Sequence, residues 1–259
     1  MSRPIRVGVQ IAPQHASYPV LRDAVRRMED LGVDLVMGWA HFFPLTGDPD
    51  GKHYESWTML GAIAEQTSRV EFGCLVNCNS YRNPDLQADM ARTLDNISGG
   101  RFIFGTGAGW FERDYVEYGY DFGTRGSRLA ALGEALPRIE ARWAKLNPAP
   151  LRDIPILIGG GGEKKTLRLV ARHADIWHSF PDPETLRRKL GILAEHCAAE
   201  GRDMARSRSR SRTGAGTSRP RTRCGRRVRP YSRSGSRAPT TPSGPWSAWW
   251  PGGTQTPDG

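Results

Sequence analysis

The sequence predicts an α/β fold of the TIM-type (β/α)8 barrel class, incomplete because only about six βα units are present. Short apolar runs rich in β-branched residues alternate with helix-length apolar stripes over the first 204 residues. The turn after the first run, at 11–15, lacks the glycines with which a doubly wound dinucleotide-binding sheet begins. Glycine clusters follow the fourth and fifth runs instead, and barrels bind phosphate on late loops. A barrel is therefore favoured over an open doubly wound sheet.

The strand and helix signals follow one another in six units. Strands are predicted from β-branched and aromatic runs, at 5–11, 34–37, 70–76, 102–104, 154–158 and 175–177. Helices are predicted from apolar residues three or four positions apart, at 21–31, 57–67, 86–97, 129–143, 167–174 and 186–197. Glycines stop two of these helices, at Gly32 and at Gly99 and Gly100, as C-terminal caps commonly do.

The last part of the chain, 205–259, has a different composition. It contains no Leu, Ile, Phe, Met, Lys or Glu, and Arg, Ser, Pro and Gly dominate it. It holds 12 of the 37 basic residues and one of the 27 acidic ones, so the net charge of +10 falls to −1 for residues 1–204. We expect a partial barrel domain over 1–204 and a disordered tail over 205–259, because such a composition buries too little apolar surface to fold.

The composition also bears on partners and location. No apolar run approaches the ~20 residues that a membrane helix needs, and no secretory signal precedes the first strand, so we expect a cytoplasmic protein without a membrane partner. Nucleic acid is expected only as a non-specific partner of the arginine-rich tail. Cys74 and Cys78 lack the further ligands of a zinc site, so no metal is predicted. A homodimer remains an open alternative.

The clearest chemical motif is the four-glycine run Gly159, Gly160, Gly161 and Gly162, between a predicted strand and a helix. Bare backbone N–H groups at a helix start can approach a phosphate without obstruction by Cβ atoms. A flexible turn is the alternative, although two glycines would suffice for it. We therefore favour a phosphate cradle.

A second glycine-spaced motif covers 105–109 and includes Gly107 and Ala108. Small residues at a strand end would allow a flat ring to lie against the strand termini, where barrels carry their chemistry. Close packing of the strand against a helix explains the same spacing equally well. Both interpretations stay open on the sequence alone.

Titratable residues also follow the strands. His41 comes after the second strand, where a near-neutral pKa suits proton transfer, although a lone histidine is more often structural. Asn77 ends the third strand, where its amide could bind a ring edge. Glu112 and Asp114 follow the fourth strand as acid/base candidates or as helix-start carboxylates, and Glu112 is the one we predict to be catalytic.

Taken together, these motifs resemble the luciferase-like superfamily, in particular its actinobacterial F420-dependent branch. The resemblance rests on stretches that match in order and spacing over roughly 5–203, namely 7–11, 40–44, 81–84 with 98–102, 105–110, 159–162 and 174–177. It implies a barrel that holds the deazaflavin coenzyme F420, with FMN as the alternative cofactor. It also implies hydride transfer between a small organic substrate and C5 of the deazaflavin.

The resemblance assigns roles to individual positions. His41 corresponds to the histidine beside the reacting ring, and Asn77 to a ring-contacting position. Cys74 and Leu75 fall where the family often has a cis peptide that backs the ring. The glycines 159–162 correspond to the phosphate cradle, and Trp177 is predicted to contact the cofactor.

Two departures from the family qualify this identification. Ala40 replaces the aspartate that usually precedes the histidine, so a carboxylate near His41 is expected to be missing. The last two βα units are absent, which predicts an impaired or inactive barrel, and we interpret 205–259 as translated out of frame. The alternatives are an FMN-dependent monooxygenase of the same superfamily and, from another class, a nucleic-acid-binding protein that acts through its tail.

Overall fold

A computed structural model describes residues 6–180 and 182–202 of the chain. Its strands are β1 (Gly8–Gln10), β2 (Leu35–Gly38), β3 (Glu71–Cys74), β4 (Asn77–Cys78), β5 (Phe102–Gly107), β6 (Ile156–Gly159) and β7 (Ile176–His178). Its helices are α1 (Tyr18–Asp30), α2 (Ser56–Gln66), α3 (Pro84–Ile97), α4 (Glu112–Tyr118), α5 (Arg125–Trp143), α6 (Thr166–His173) and α7 (Pro183–Ala199), with a 3-10 turn at Asn79–Tyr81. The predictions for 205–259, namely disorder, a shifted reading frame and nucleic-acid binding, lie outside the described residues.

All the strands of the sheet are parallel, and their order follows the chain from β1 to β7. β3 and β4 occupy one strand position, because β3 pairs with the beginning of β5 and β4 with its end. In the described residues β1 pairs only with β2, and β7 only with β6, so six strand positions form an open arc. The prediction of an incomplete barrel with about six strands is confirmed.

The break between β3 and β4 contains a cis peptide bond, which lies between Leu75 and Val76. The resemblance placed it between Cys74 and Leu75, so that prediction is wrong by one residue. The physical reason is that pairing with β2 continues through this point: Cys74 pairs with Gly38, and the N–H of Leu75 still donates to the Gly38 carbonyl over 2.6 Å. The backbone leaves the regular ladder only after Leu75.

Both faces of the sheet are covered, as side chains that alternate along β5 illustrate. Phe102 and Phe104 point into the main core, where the helices α2, α3 and α5 pack. Ile103 points the opposite way and joins Met37 and Leu157 in a second apolar cluster on the inner face. Because successive side chains of a strand face opposite sides, burial on both sides produces the continuous apolar runs seen in the sequence.

Helix starts agree with local capping chemistry. The Glu55 carboxylate accepts hydrogen bonds from backbone N–H groups at the start of α2, and Asp182 does the same for α7. Thr124 and Ser127 form a reciprocal capping box at the start of α5. The seven-residue helix α4 is not among the predicted helices because it is too short to show a helical period, although Glu112 and Asp114 lie in its first turn, as the helix-start alternative expected. No helix in residues 6–180 and 182–202 has the length and apolar character to cross a membrane.

The close approach of β3 and β5 predicts that Gly105→Ala unfolds the protein more easily. A Cβ at Gly105 would lie 1.8 Å from the Cys74 carbonyl oxygen, so the backbone must move and the free energy of unfolding should fall by about 3 kcal/mol or more. Gly61→Ala in α2 is the matched control, since a Cβ there meets nothing within 4 Å and should add about 0.5–1 kcal/mol. Urea denaturation measures both; equal effects of the two variants would contradict the packing role of Gly105.

Candidate active site

A cavity of about 850 Å³ opens at the carboxyl ends of the strands. Its wall comes from the segments that follow β2, β3, β5, β6 and β7. The lining residues are Gln10, Trp39, His41, Leu45, Leu75, Val76, Asn77, Cys78, Gly107, Ala108, Gly109, Trp110, Arg125, Leu129, Gly159, Gly160, Gly161, Gly162, Thr166, His178, Ser179 and Phe180. Most of these side chains are apolar or absent. No carboxylate lines the cavity among the described residues, whereas Arg125 does, so its electrostatics favour an anionic ligand.

Most of the site residues predicted from the sequence meet in this cavity. His41, Leu75 and Asn77 line it, as do Gly107 and Ala108 and all four glycines of 159–162. The four-glycine loop and the histidine therefore share one cavity, although more than a hundred residues separate them in the sequence. A parallel sheet explains this, because it brings the loops after its strands to one edge.

Three of the predicted residues do not line the cavity. The side chain of Cys74 is buried in the main core with its Sγ 3.0 Å from the Ser56 hydroxyl, and burial raises the pKa of this thiol to about 12. Glu112 is exposed in the first turn of α4. Trp177 supports the glycine loop instead, since its indole N–H donates to the Gly160 carbonyl over 2.8 Å. Strand alternation and helix phase, which set where these side chains point, explain the three differences.

His41 has a carboxylate partner in Asp114, which lies in α4. Its Nδ1 is 2.7 Å from Asp114 Oδ2, and the Asp114 side chain is completely buried. The same carboxylate accepts hydrogen bonds from the Tyr81 hydroxyl at 2.6 Å and from the Phe42 N–H at 3.0 Å. The expectation that His41 lacks a neighbouring carboxylate, drawn from Ala40, is therefore wrong: a more distant part of the chain supplies one.

These contacts orient the His41 ring. Because the Asp114 carboxylate already accepts hydrogen bonds from the Tyr81 hydroxyl and the Phe42 N–H, Nδ1 is the ring nitrogen that faces it as a donor. Burial raises the pKa of Tyr81, which keeps its hydroxyl a donor to the same carboxylate. His41 Nε2 then has no hydrogen-bond partner within the described part of the chain. The edge-on rings of Trp110 and Phe111, 5.6 Å and 5.3 Å from the imidazole centroid, restrict its rotation.

The other polar side chains of the cavity wall differ in whether the protein provides them with hydrogen-bond partners. The Asn77 amide is fully buried and engaged, accepting from the Trp57 indole at 3.0 Å and donating to Gln87 at 2.7 Å. In contrast, Trp39 Nε1 and His178 Nε2 are buried without a hydrogen-bond partner in the residues described. Burial lowers the pKa of His178, which favours its neutral form. A bound ligand with polar atoms would satisfy both groups, because buried polar atoms are rarely left unpaired.

The fold and this site are typical of a (β/α)-barrel enzyme, and a comparison with known families identifies its class. The family model for luciferase-like monooxygenases matches residues 1–244. The chain therefore belongs to the luciferase-like monooxygenase family, which confirms the resemblance and the prediction of an oxidoreductase class.

Individual relatives support the family, and one of them is named for the cofactor F420. An uncharacterized protein of Mycobacterium tuberculosis is 29% identical over 211 residues, covering 74% of this chain and 69% of the relative. The F420-dependent glucose-6-phosphate dehydrogenase of Amycolatopsis mediterranei is 27% identical over 177 residues, covering 61% and 52% of the two chains.

Solved structures agree with the fold. An F420-dependent secondary alcohol dehydrogenase in complex with an F420–acetone adduct superposes with a TM-score of 0.71 at 20% identity, covering 77% of this chain and 66% of that one. A type II Baeyer–Villiger monooxygenase of Pseudomonas putida in complex with FMN gives a TM-score of 0.64 at 17% identity, covering 76% and 63%. The chain thus spans about two thirds of the length of these proteins.

The buried contacts of Asp114 predict a large stability difference between two neighbouring acidic residues. Asp114→Ala leaves His41, Tyr81 and the Phe42 N–H without their acceptor, so the free energy of unfolding should fall by about 3 kcal/mol or more. Glu112→Ala, two residues away and exposed, should cost less than about 1 kcal/mol. Thermal and urea denaturation of the two variants compare them. A loss for Glu112→Ala as large as that for Asp114→Ala would contradict the assignment of Asp114 as the structural carboxylate of the site.

Proposed function

We propose that the chain is an F420-dependent oxidoreductase that exchanges hydride between a small organic substrate and the deazaflavin. The observation that carries this proposal is the shared cavity, in which the glycine loop 159–162 and the imidazole of His41 both form the wall. A glycine loop suits a phosphate, and a histidine suits proton transfer beside a ring. The F420-dependent relative from Amycolatopsis mediterranei supports the choice of cofactor.

The residues present fit a phosphorylated, ring-bearing cofactor. The helix α6 begins after the glycine loop without a side-chain cap, which leaves backbone N–H groups for an anion. The unpartnered Trp39 Nε1 and His178 Nε2 offer hydrogen bonds within the same cavity. Leu75 and Val76 provide an apolar surface for the face of a ring. F420 and FMN both meet these requirements, which is why the cofactor is tested below.

The mechanism follows from the His41–Asp114 pair. The deazaflavin, when bound, supplies the carbon that accepts or gives the hydride. His41 Nε2 accepts a proton from a substrate hydroxyl or returns one to a carbonyl oxygen, while Nδ1 stays protonated against Asp114. Asp114 does not reach the substrate; it positions the ring of His41 and stabilises the positive charge that forms on it. Leu45, Leu129 and Trp110 contribute apolar surface to the cavity wall.

The first test compares the two cofactors with the purified full chain. We expect F420 to bind at least about ten-fold more tightly than FMN, measured by fluorescence titration of each. Tighter binding of FMN would favour the second candidate, a luciferase-like monooxygenase. Binding of neither would contradict the proposal. Because binding does not require turnover, this test does not depend on the catalytic rate of the chain.

The second test removes the proton-transfer group. His41→Gln should lower the rate of F420 reduction by about 10²–10⁴-fold, because general acid–base catalysis contributes that much. The dissociation constant for F420 should change little, since the phosphate loop is untouched. Reduction is followed at the deazaflavin absorbance with a panel of small alcohols, and Glu112→Gln, an exposed acidic residue, is the control. A His41→Gln enzyme with an unchanged rate would show that His41 is not the proton-transfer residue.

A further inference from the structure

We propose that Lys189, in α7, is the counter-charge for a phosphate seated on the glycine loop, and that Thr166 and Ser179 complete this anion site. The proposal rests on the proposed function, because it assumes a phosphorylated cofactor. The sequence pointed only to the glycines. The two lysines next to them, Lys164 and Lys165, are exposed, whereas Lys189 is half-buried with its Nζ beside Gly161.

Next to Gly161, the amine of Lys189 approaches the glycine loop from the helix α7. A Cβ at Gly161 would lie 2.7 Å from Lys189 Nζ and 3.0 Å from Ser179 Oγ. The amine and the hydroxyl therefore reach the loop from two separate elements, α7 and the segment after β7. Any side chain at position 161 would occupy the space that these two groups share. The glycine keeps this space open for a ligand oxygen.

Thr166 supplies an independent sign of a ligand. It is only 8% exposed, it lines the cavity, and a Cβ at Gly162 would lie 2.8 Å from its Oγ1. This hydroxyl has no hydrogen-bond partner in residues 6–180 and 182–202. A hydroxyl that faces a cavity at the start of a helix without a side-chain cap matches an anion that accepts hydrogen bonds.

The nearby charges leave Lys189 available for this role. The acidic residue of the loop, Glu163, is neutralised by Arg188, whose Nη1 is 2.6 Å from its Oε1. Lys189 itself has no carboxylate within ion-pair distance in the described part of the chain. The two adjacent cations of α7 therefore have different roles. Arg188 pairs with the acidic residue of the loop, and Lys189 adds a net positive charge beside Gly161. The resulting positive electrostatic potential beside Gly161 attracts a phosphate.

The test measures how strongly a phosphate contributes to binding. Fluorescence titration gives dissociation constants for two pairs: FMN against riboflavin, which differ only by a phosphate group, and F420 against its deazaflavin chromophore, which lacks the phosphate together with the side chain that the phosphate links. In the unmodified chain the phosphorylated member should bind about ten-fold or more tightly, as expected for charge-assisted hydrogen bonds. Lys189→Met should reduce this ratio at least about five-fold without weakening the dephosphorylated member. Lys189→Arg should restore most of it.

Two further variants provide controls. Arg187→Met removes an exposed cation of the same helix and should leave the ratio unchanged, which excludes a general effect of charge. Arg125→Met removes the cation that lines the cavity. A ratio that depends on Arg125 and not on Lys189, or on neither, overturns the assignment of Lys189 while the proposed function stands. Failure of every compound to bind the unmodified chain overturns the proposed function and this inference with it.

Discussion

The candidate active site depends on one buried carboxylate, Asp114. It joins two distant segments to its own helix α4, because it accepts hydrogen bonds from the adjacent residues His41 and Phe42 and from Tyr81. Removing such a group from water is unfavourable unless each of its oxygens is satisfied, and here both are. The same contacts that make burial possible also hold the imidazole of His41 in one orientation. Stability and chemistry therefore rest on the same side chain.

The glycines of the sheet serve two separate purposes, which the sequence does not distinguish. Gly73 and Gly105 allow β3 and β5 to approach each other, since a Cβ at either position would collide with a carbonyl oxygen of the neighbouring strand. Gly161 and Gly162 instead face hydroxyl and amine groups at the cavity. The first glycines serve packing, whereas we propose that the second serve ligand binding. Both purposes require the absence of a side chain, so only the structure separates them.

Much of the fold was readable from the sequence because hydrophobic periodicity reports burial directly. The order of strands and helices, the incomplete barrel and the shared edge of His41 and the glycine loop all follow from that pattern. The partners of individual side chains do not, because they depend on the phase of each element. For this reason Asp114, rather than Glu112, faces His41. Lys189 lies beside the glycine loop in space, but it is distant from the loop in the sequence and belongs to none of the recognised motifs.

The most direct measurement of the central claim is a crystal structure of the full chain with F420. We expect the phosphate on the backbone of the glycine loop 159–162, and the deazaflavin ring against Leu75 and Val76 within reach of His41 Nε2. Density for the cofactor at another surface, or with its phosphate away from the glycine loop, would contradict the assignment of this cavity as the seat of a redox cofactor.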